Sequence, residues 1–443
     1  MDFMRILFYS TSSNIYEGKD FDVYDSPSCA DELIQLAHNY PEHHFIVATQ
    51  LPGMFMLDLK GSQIIQKAPE IEYHIIEWDK ETEIADFLES LNPDIAVAAS
   101  FYDKPLDWFS VKDSVVADYL RQKNIRTICH PVDASLACFD KQLTHRVLER
   151  AAVRCPKSVY IHHALFINAG NRPQIKSNVY KTAVYEQLKA LRYPVVIKDT
   201  VGLSSYGMEV VQNFEEARNF LLSKRNTSDR IAEEMILGQQ AGVELVSTPK
   251  KIIIEKPFFF SVNKYGITSP KQSVKAGPVK HGYKIAKLNS MLKKMCRALN
   301  FYGPAQVDLV FDGKDWYVIE INPRLSGMST TCAFSQGLGV LESLFEKTVL
   351  NKKRRSQLSI NIKFNLLDED ELIELKKYGF VKKVHQIKNL AALQLREMGY
   401  CEVVITAKNK KELKDNLSAI KNAFPQKLEN AFIDSARELI QKL

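Results

Sequence analysis

Two carboxylates, a side-chain amide and a guanidinium are spaced along Ala305 to Thr330, AQVDLVFDGKDWYVIEINPRLSGMST, as a metal and an anion would need them. Asp308 stands near the far end of one strand-like run, Glu320 and Asn322 near the far end of the next, and Arg324 two residues further on. Carboxylate and amide oxygens are hard donors, the set that Mg²⁺ takes when it also keeps waters and phosphate oxygens. Arg324 can then meet an anion that the metal has not neutralised. Upstream, Asp140-Lys141 opens a helical pattern, and the run Val195 to Lys198 delivers a second lysine to a loop, Asp199 to Tyr206, bounded by Gly202 and Gly207. Backbone N–H groups and hydroxyls of such a loop can cradle phosphate while the lysine supplies charge. It is not a P-loop, because Met208 and Glu209 follow Gly207 where Lys-Ser would be needed. Each feature has a plainer reading: a solvated edge of an amphipathic hairpin for the first, a surface hairpin with a glycine turn for the second.

The elements that carry these groups decide whether they meet. Alternation along a strand puts Val307, Leu309 and Phe311 on one face of the first run and Tyr317, Ile319 and Ile321 on one face of the second, which makes a dry side. Gln306, Asp308 and Val310 then share the other side with Trp316, Val318, Glu320 and Asn322, if Asp308 is in register with Glu320. That register asks for an odd-numbered loop centred on Lys314, such as Gly313, Lys314 and Asp315. A two-residue loop would put the carboxylates on opposite faces, since a slip of one residue flips a strand.

The chain before and after this hairpin divides into three. Residues 1–132 alternate short apolar runs (Arg5 to Ser10, Phe45 to Thr49, Tyr73 to Trp78, Asp94 to Ser100, Arg126 to His130) with helix-like stretches, the pattern of a doubly wound, mainly parallel sheet. No G-x-G-x-x-G follows the first strand, so a dinucleotide is a poor guess; the loop Thr11 to Asn14 is either a substrate contact or plain polar loop. Residues 133–350 read as α+β, with strands around Ser158 to Ile161, Val195 to Lys198, Arg230 to Glu234, Val243 to Ser247 and Lys251 to Phe260, and a helix at Lys287 to Leu299. The basic run Lys352 to Arg355 reads as a solvated linker, with a phosphate or nucleic-acid patch as the alternative, and marks a boundary. Residues 351–443 form a smaller α+β unit without a catalytic constellation, His385 being a strand histidine.

Composition bounds the function classes. The chain has 443 residues, 45% apolar and 25% charged, with a net charge of +6, which suits anionic small molecules and gives no case for nucleic acid. No apolar run reaches the length of a membrane span and no signal-type segment opens the sequence, so a cytoplasmic location is expected. Seven scattered cysteines without a C-x-x-C read as reduced structural thiols, and neither H-E-x-x-H nor a Cys/His cluster of zinc spacing is present.

In order and spacing, Lys141, the Val195 to Met208 unit, the Glu233 segment and the Asp308 to Asn322 hairpin resemble the ATP-grasp superfamily, over roughly residues 1–350. EINPRLSGMS is similar to the carboxylate–amine ligase branch, which includes D-alanine–D-alanine ligase, L-amino-acid (dipeptide) ligases, biotin carboxylase and carbamoyl phosphate synthetase. The resemblance implies an N-terminal Rossmann-like domain, an ATP-grasp domain with a mobile lid at about residues 157–232, and a C-terminal α+β domain. It implies that Lys141 and Lys198 hold the ATP phosphates under the loop carrying Ser204, Ser205 and Gly207, and that Glu233 with the backbone of Glu234, Met235 and Ile236 reads adenine. Gln240 stands where a ribose-binding glutamate is common, with Glu244 as the alternative. Asp308, Glu320 and Asn322 would bind one or two Mg²⁺, or Mn²⁺ in their place. Arg324 would stabilise the reacting acyl phosphate, with Ser326 and Gly327 presenting amides to a carboxylate. The activity implied is activation of a carboxylic acid, an amino acid by preference, as an acyl phosphate and its condensation with an amine, giving ADP and phosphate. A phosphotransferase, a biotin-carboxylase-like enzyme and a nucleotide-binding module without turnover are the alternatives. Small-molecule acid and amine substrates are the expected partners, and a homodimer is compatible with the resemblance.

Overall fold

The computed structural model describes residues 3–11, 21–51, 56–60, 63–101, 109–167, 178–202, 208–262, 274–391 and 398–443. The first unit is built as its alternation predicts. Five parallel strands lie in the order Glu72–Ile75, His44–Thr49, Arg5–Ser10, Ile95–Ala98, Arg126–Ile128. The three inner strands have apolar middles, Ile6 to Tyr9, Phe45 to Ala48 and Ile95 to Ala98, because both faces of the sheet are covered. Cys29–Asn39 contributes Ala30, Leu33 and Leu36 to one layer, and Glu81–Ser90 contributes Ile84, Ala85 and Leu88 to the other.

A four-stranded antiparallel sheet, in the order Glu209–Val211, Val195–Asp199, Arg230–Glu234, Ser158–Ile161, forms the segment expected to be the lid. The helices Val179–Lys189 and Phe214–Leu222 close over it, and Val159, Ile161, Val184, Leu188, Val195, Ile197, Phe220 and Leu221 make its own apolar cluster. Each helix starts on an asparagine whose side chain accepts an N-terminal amide, Asn178 from Lys181 and Asn213 from Glu216.

The third sheet has twelve strands and is continuous across the boundary expected at residue 350. Its path runs Trp316–Asn322, Gly303–Phe311, Gln239–Ser247, Phe258–Phe260, Lys275–Gly277, Leu358–Phe364, Gly399–Ala407, Val381–Asn389, Phe21–Ser26, Asp58–Lys60, Gln63–Gln66, with Ile252–Ile254 beside Gln239–Ser247. One apolar cluster joins Val307, Leu309 and Trp316 to Ile360, Val403 and Leu417 along its covered face. The last residues are thus an edge-on extension of the central sheet. Lys352, Lys353 and Arg355 of the basic run are exposed, as a solvated linker would have them, while Lys352 and Arg354 contact the buried Glu346 and Lys353 the buried Glu255, so buried carboxylates fix its place. Three elements not foreseen, the strand Phe21–Ser26 and the helices Val132–Phe139 and Gly327–Ser335, connect these units. All seven cysteines are free, and no helix among the described residues is long and apolar enough to cross a membrane.

Candidate active site

The hairpin Gly303–Phe311/Trp316–Asn322 brings Asp308 opposite Glu320 and Gln306 opposite Asn322. The route differs from the one expected. Phe311 pairs with Trp316, so the connection is the even-numbered Asp312 to Asp315, closed by the Asp312 amide on the Asp315 carbonyl at 3.1 Å and by Lys314 and Asp315 amides on the Asp312 carboxylate. With that turn alone Glu320 would face the wrong way. A bulge corrects it: Leu309 pairs with Val318 and Asp308 with Glu320, leaving Ile319 as the extra residue. Trp316 and Val318 therefore face the core with Leu309 and Phe311, where Tyr317 and Ile319 were expected, and the bulge returns Ile321 to the core and Glu320 and Asn322 to the polar face.

Lys141, the first residue of the helix Lys141–Arg150, reaches this edge. The Asp140 side chain caps that helix, and the Lys141 ammonium lies 3.2 Å from Glu320 Oε1 while donating to the Gly202 carbonyl at 2.9 Å. One lysine thus joins the carboxylate edge to the glycine-bearing loop. Gln306 donates to Asp308 at 2.7 Å, and buried Arg324 donates to Asn322 Oδ1 at 3.1 Å and to the Leu325 carbonyl at 3.0 Å. A pocket opens here, lined among others by Ser110, Lys141, Gly202, Glu320, Asn322 and Pro323.

The two carboxylates resist ionising together. Burial, and next the facing Glu320, push Asp308 up to about 7. Burial would raise Glu320 too, but the Lys141 and then the Lys198 ammonium outweigh it and hold it below the ordinary carboxylate range. A divalent cation between them removes the repulsion, and the all-oxygen donor set of Asp308, Glu320 and Asn322 fits a hard ion such as Mg²⁺.

Lys198 sits at the end of Val195–Asp199 in the second sheet, 2.8 Å from Glu233 Oε2. The other oxygen of Glu233 is 2.8 Å from His145 Nε2, and His145 Nδ1 is 3.3 Å from Ser158 Oγ. Glu233 was expected to read adenine; here its carboxylate is buried and turned to these two partners, and although burial opposes it, Lys198 and His145 hold it down at about 2. His145 was not foreseen, and its signal was its place one helical turn after Lys141. Of the adenine segment, the Glu234 and Met235 amides are engaged by the carbonyls of Lys157 and Pro194, while the Ile236 amide makes no hydrogen bond among the described residues. Asp199, where proline is common in the resembling loops, accepts from Arg230 at 2.9 Å and from Ser228, so a carboxylate anchors the strand end.

Gln240 lies on the same face as Gly242, the partner of Asp308, and so on the side of the Asp308 and Glu320 carboxylates. Glu244 is buried beneath the helix Gly327–Ser335 with Lys347 and Glu255 for company, which counts against its touching a ribose. The Ser326 amide is taken by Ser329 Oγ at 3.0 Å and its hydroxyl by the Met328 amide, so Ser326 caps the helix and does not offer its N–H. The Gly327 amide makes no hydrogen bond among the described residues, and Lys275, a cation the sequence reading passed over, lies against it: a Cβ on Gly327 would stand 3.2 Å from Lys275 Nζ. Ser204, Ser205 and Gly207 lie outside the described residues.

A lysine-bearing antiparallel sheet, a carboxylate edge on a second sheet and a pocket at that edge are the arrangement that the ATP-grasp resemblance leads one to expect. Residues 138–328 match the ATP-grasp domain family. Over residues 138–328 the chain therefore carries an ATP-grasp domain. It is 23% identical over 309 residues, 67% of this chain and 26% of the relative, to the carbamoyl phosphate synthase large chain of Clostridium beijerinckii. The chain spans about a quarter of that relative's length. Among solved structures, it is similar to an L-amino acid ligase from Bacillus licheniformis (TM-score 0.63, 14% identity, 96% of this chain and 99% of that one). An N5-carboxyaminoimidazole ribonucleotide synthetase in its ADP complex gives a TM-score of 0.63 at 11% identity, over 96% and 97% of the two chains. The biotin carboxylase domain of the Hydrogenobacter thermophilus 2-oxoglutarate carboxylase gives 0.60 at 13%, over 96% and 90%.

Proposed function

We propose that this protein is an ADP-forming ligase that activates a carboxylic acid as an acyl phosphate and joins it to an amine. The observation that carries this reading is the pocket lined by Lys141, Glu320 and Asn322, with Asp308 paired opposite Glu320, Arg324 bonded to Asn322 and Lys198 on the second sheet. An amine does not attack a carboxylate at useful rates, because oxide is a poor leaving group and the carbon is shielded by charge. Phosphorylation replaces oxide by phosphate.

Lys141 and Lys198 hold the phosphates of ATP by charge, and Glu233 with His145 keeps the Lys198 stem in one orientation. Asp308, Glu320 and Asn322 hold one or two Mg²⁺, whose charge neutralises the phosphate oxygens. Gln240 takes a ribose hydroxyl, and the Ile236 amide the adenine edge. Arg324, braced on Asn322 and the Leu325 carbonyl, faces the negative charge that develops on the acyl phosphate and on the tetrahedral adduct that follows. The second sheet closes over the pocket and excludes water, which would otherwise hydrolyse the acyl phosphate. The amine attacks, phosphate departs, and amide and ADP are the products.

The test is a phosphate-release screen of acids paired with amines, read for condensed product by mass spectrometry. Hydroxylamine serves as a general amine, since it traps acyl phosphates as hydroxamates. ADP formed from one acid with no amine dependence would replace the ligase by a phosphotransferase. Tight ATP binding with no ADP across the screen would leave a nucleotide-binding module.

A further inference from the structure

The helix that carries Lys141 holds a second group of donor side chains. His145 and Glu149 are four residues apart on Lys141–Arg150, so both project from one face of it. The chain then reverses: Ala152 takes a left-handed conformation at φ 46°, and the Val153 amide donates back to the Leu148 carbonyl at 2.8 Å. That turn lays Cys155 beside the helix it has just left. One donor atom from each of His145, Glu149 and Cys155 lies within 4.8 Å of the other two. No zinc spacing marks the group in the sequence, because the turn brings the cysteine back.

Two of the three are held in place. His145 is buried and its Nε2 meets the Glu233 carboxylate at 2.8 Å, so Nδ1 is the ring nitrogen left for another partner. Among the described residues the Ser158 hydroxyl is its contact, at a long 3.3 Å. A carboxylate behind a histidine orients a metal-binding imidazole and raises its basicity. Cys155 is half-buried between anchored neighbours: the Arg154 carbonyl accepts from the Val318 amide and the Lys157 carbonyl from the Glu234 amide, each at 2.9 Å. Glu149 is exposed and makes no ion pair among the described residues, so its side chain can swing. Burial, then the Glu149 and Glu233 carboxylates, push the Cys155 thiol up to about 12. The charges acting on the sulfur are thus negative, a field that opposes a bare thiolate and favours a cation.

Imidazole, thiolate and one carboxylate make a borderline-soft set. Zn²⁺ takes such ligands in a tetrahedron with bonds of about 2.0–2.3 Å, whereas Mg²⁺ prefers oxygen alone. The ligand atoms of that tetrahedron stand roughly 3.5 Å apart, a spacing that rotation of the exposed Glu149 side chain can reach. We propose that His145 Nδ1, Glu149 and Cys155 bind Zn²⁺, with water in the fourth position, at a site distinct from the Asp308 and Glu320 edge. Binding converts the thiol to thiolate and releases its proton to solvent. The ion ties the segment that leads into Ser158–Ile161, a strand of the second sheet, to the helix of Lys141, and through His145 it leans on the Glu233 that also holds Lys198. The inference goes beyond the ligase reading, and nothing in it needs turnover. Cys155 also packs on the central apolar cluster, and the competing role for it is that packing alone.

The experiment titrates Zn²⁺ into the full chain, stripped by a chelator and kept in excess Mg²⁺, against a chromophoric zinc indicator, and repeats the titration with Co²⁺ as a spectroscopic stand-in. One equivalent should bind per chain, and Co²⁺ should show thiolate-to-metal charge transfer. Cys155→Ser should abolish that band and weaken Zn²⁺ binding about a hundredfold, and Glu149→Gln, an exposed change, should weaken it about tenfold, since a lost ligand costs at least as much as a lost outer-shell partner. Zn²⁺ should raise the Tm of the parent chain more than that of either variant at the same concentration. No stoichiometric binding by the parent, a Co²⁺ band that survives Cys155→Ser, or equal affinity in the parent and Glu149→Gln overturns the proposal. Should Cys155→Ser fail to fold, the parent's Co²⁺ band and the Glu149→Gln affinity decide the matter between them. Loss of Zn²⁺ binding in Glu320→Ala with both other variants still loaded also overturns it, since the ion then sits on the carboxylate edge.

Discussion

Asp308 and Glu320 stand directly opposite each other across a hairpin whose turn, left alone, would put them on opposite faces. The extra residue Ile319 reverses the alternation of one strand between Val318 and Glu320, so the strand packs Trp316 and Val318 into the core and then turns its last polar residues to the pocket. A bulge beside a functional edge re-aims a side chain, and here it re-aims the carboxylate that Lys141 contacts.

If that pair holds the metal, Glu320→Ala lowers kcat by about two orders of magnitude or more, the scale of lost transition-state charge stabilisation. Asp308→Asn, which keeps shape and removes charge, shifts the Mg²⁺ dependence of phosphate release to higher concentration. A chelator abolishes turnover, and added Mg²⁺ or Mn²⁺ restores it. Near-normal turnover in Glu320→Ala would remove the metal assignment.

Glu233 joins Lys198 to His145, and its loss has two readable effects. Glu233→Gln leaves Lys198 beside a neutral amide, and KM for ATP rises about tenfold, since charge-assisted contacts are worth that much. Removing one partner of a buried pair also lowers stability by about 3 kcal/mol. The carboxyl is held down at about 2 against an ordinary 4.5, so its contribution is complete above 4.5 and lost as the pH falls toward 2. Urea denaturation at pH 5 and at pH 3 should therefore show a smaller acid loss in Glu233→Gln than in the parent chain. An equal loss in both proteins would mean that Glu233 does not govern this range.

How far the sequence could be read follows from what kind of contact each feature needs. The inner parallel strands were legible because burial on both faces gives them unbroken apolar middles, Ile6 to Tyr9 and Phe45 to Ala48 among them. Lys141, Lys198, Asp308, Glu320, Asn322 and Arg324 were legible as a constellation: Lys141, Glu320 and Asn322 line one pocket, Asp308 pairs with Glu320, Arg324 bonds Asn322, and Lys198 stands on the second sheet. The bulge at Ile319 was not, because Tyr317, Ile319 and Ile321 alternate as well as Trp316 and Val318 do, and tertiary packing chose between them. Continuity of the central sheet through Leu358–Phe364 was hidden too, since hydrogen bonding between strands 83 residues apart, Lys275–Gly277 and Leu358–Phe364, leaves no local pattern. The anchoring of the exposed basic run was hidden for a related reason: its partners Glu346 and Glu255 lie on other elements, and such ion pairs show only once those elements are placed.

Arg354 supplies the test of that last point. It donates to both oxygens of Glu346, with Nε at 2.8 Å from Oε2 and 3.0 Å from Oε1, while Tyr40 binds the same buried carboxylate from the first unit. Arg354→Ala leaves Glu346 with Lys352 and Tyr40 alone, and the loss is about 2 kcal/mol by denaturant titration, the usual cost of an under-paired buried charge. The ATP affinity stays as it was. A fall in affinity with stability unchanged would return the run to the role of a phosphate patch.

His130 joins the first unit to the strand that carries Asp308, and it makes that joint sensitive to pH. Its Nε2–H donates to the Pro304 carbonyl at 2.6 Å and its Nδ1 accepts from the Tyr302 amide at 3.2 Å, so both ring nitrogens are committed to the neutral form. Burial, opposed by the Pro304 bond and aided by the nearby Arg121, brings its pKa from 6.5 down to about 4. Between those values the unfolded chain takes up a proton that the folded chain refuses, so stability falls as the pH drops from 6.5 to 4, by about 3 kcal/mol if the shift is fully expressed. His130→Gln keeps a donor and an acceptor in place without a titrating group. Its stability, measured by urea denaturation at half-unit pH steps, should decline less than that of the parent chain across this window and match it in slope above pH 7. Equal slopes below 6.5 would mean that the imidazole is protonated in the folded protein and that the Tyr302 amide has found another acceptor.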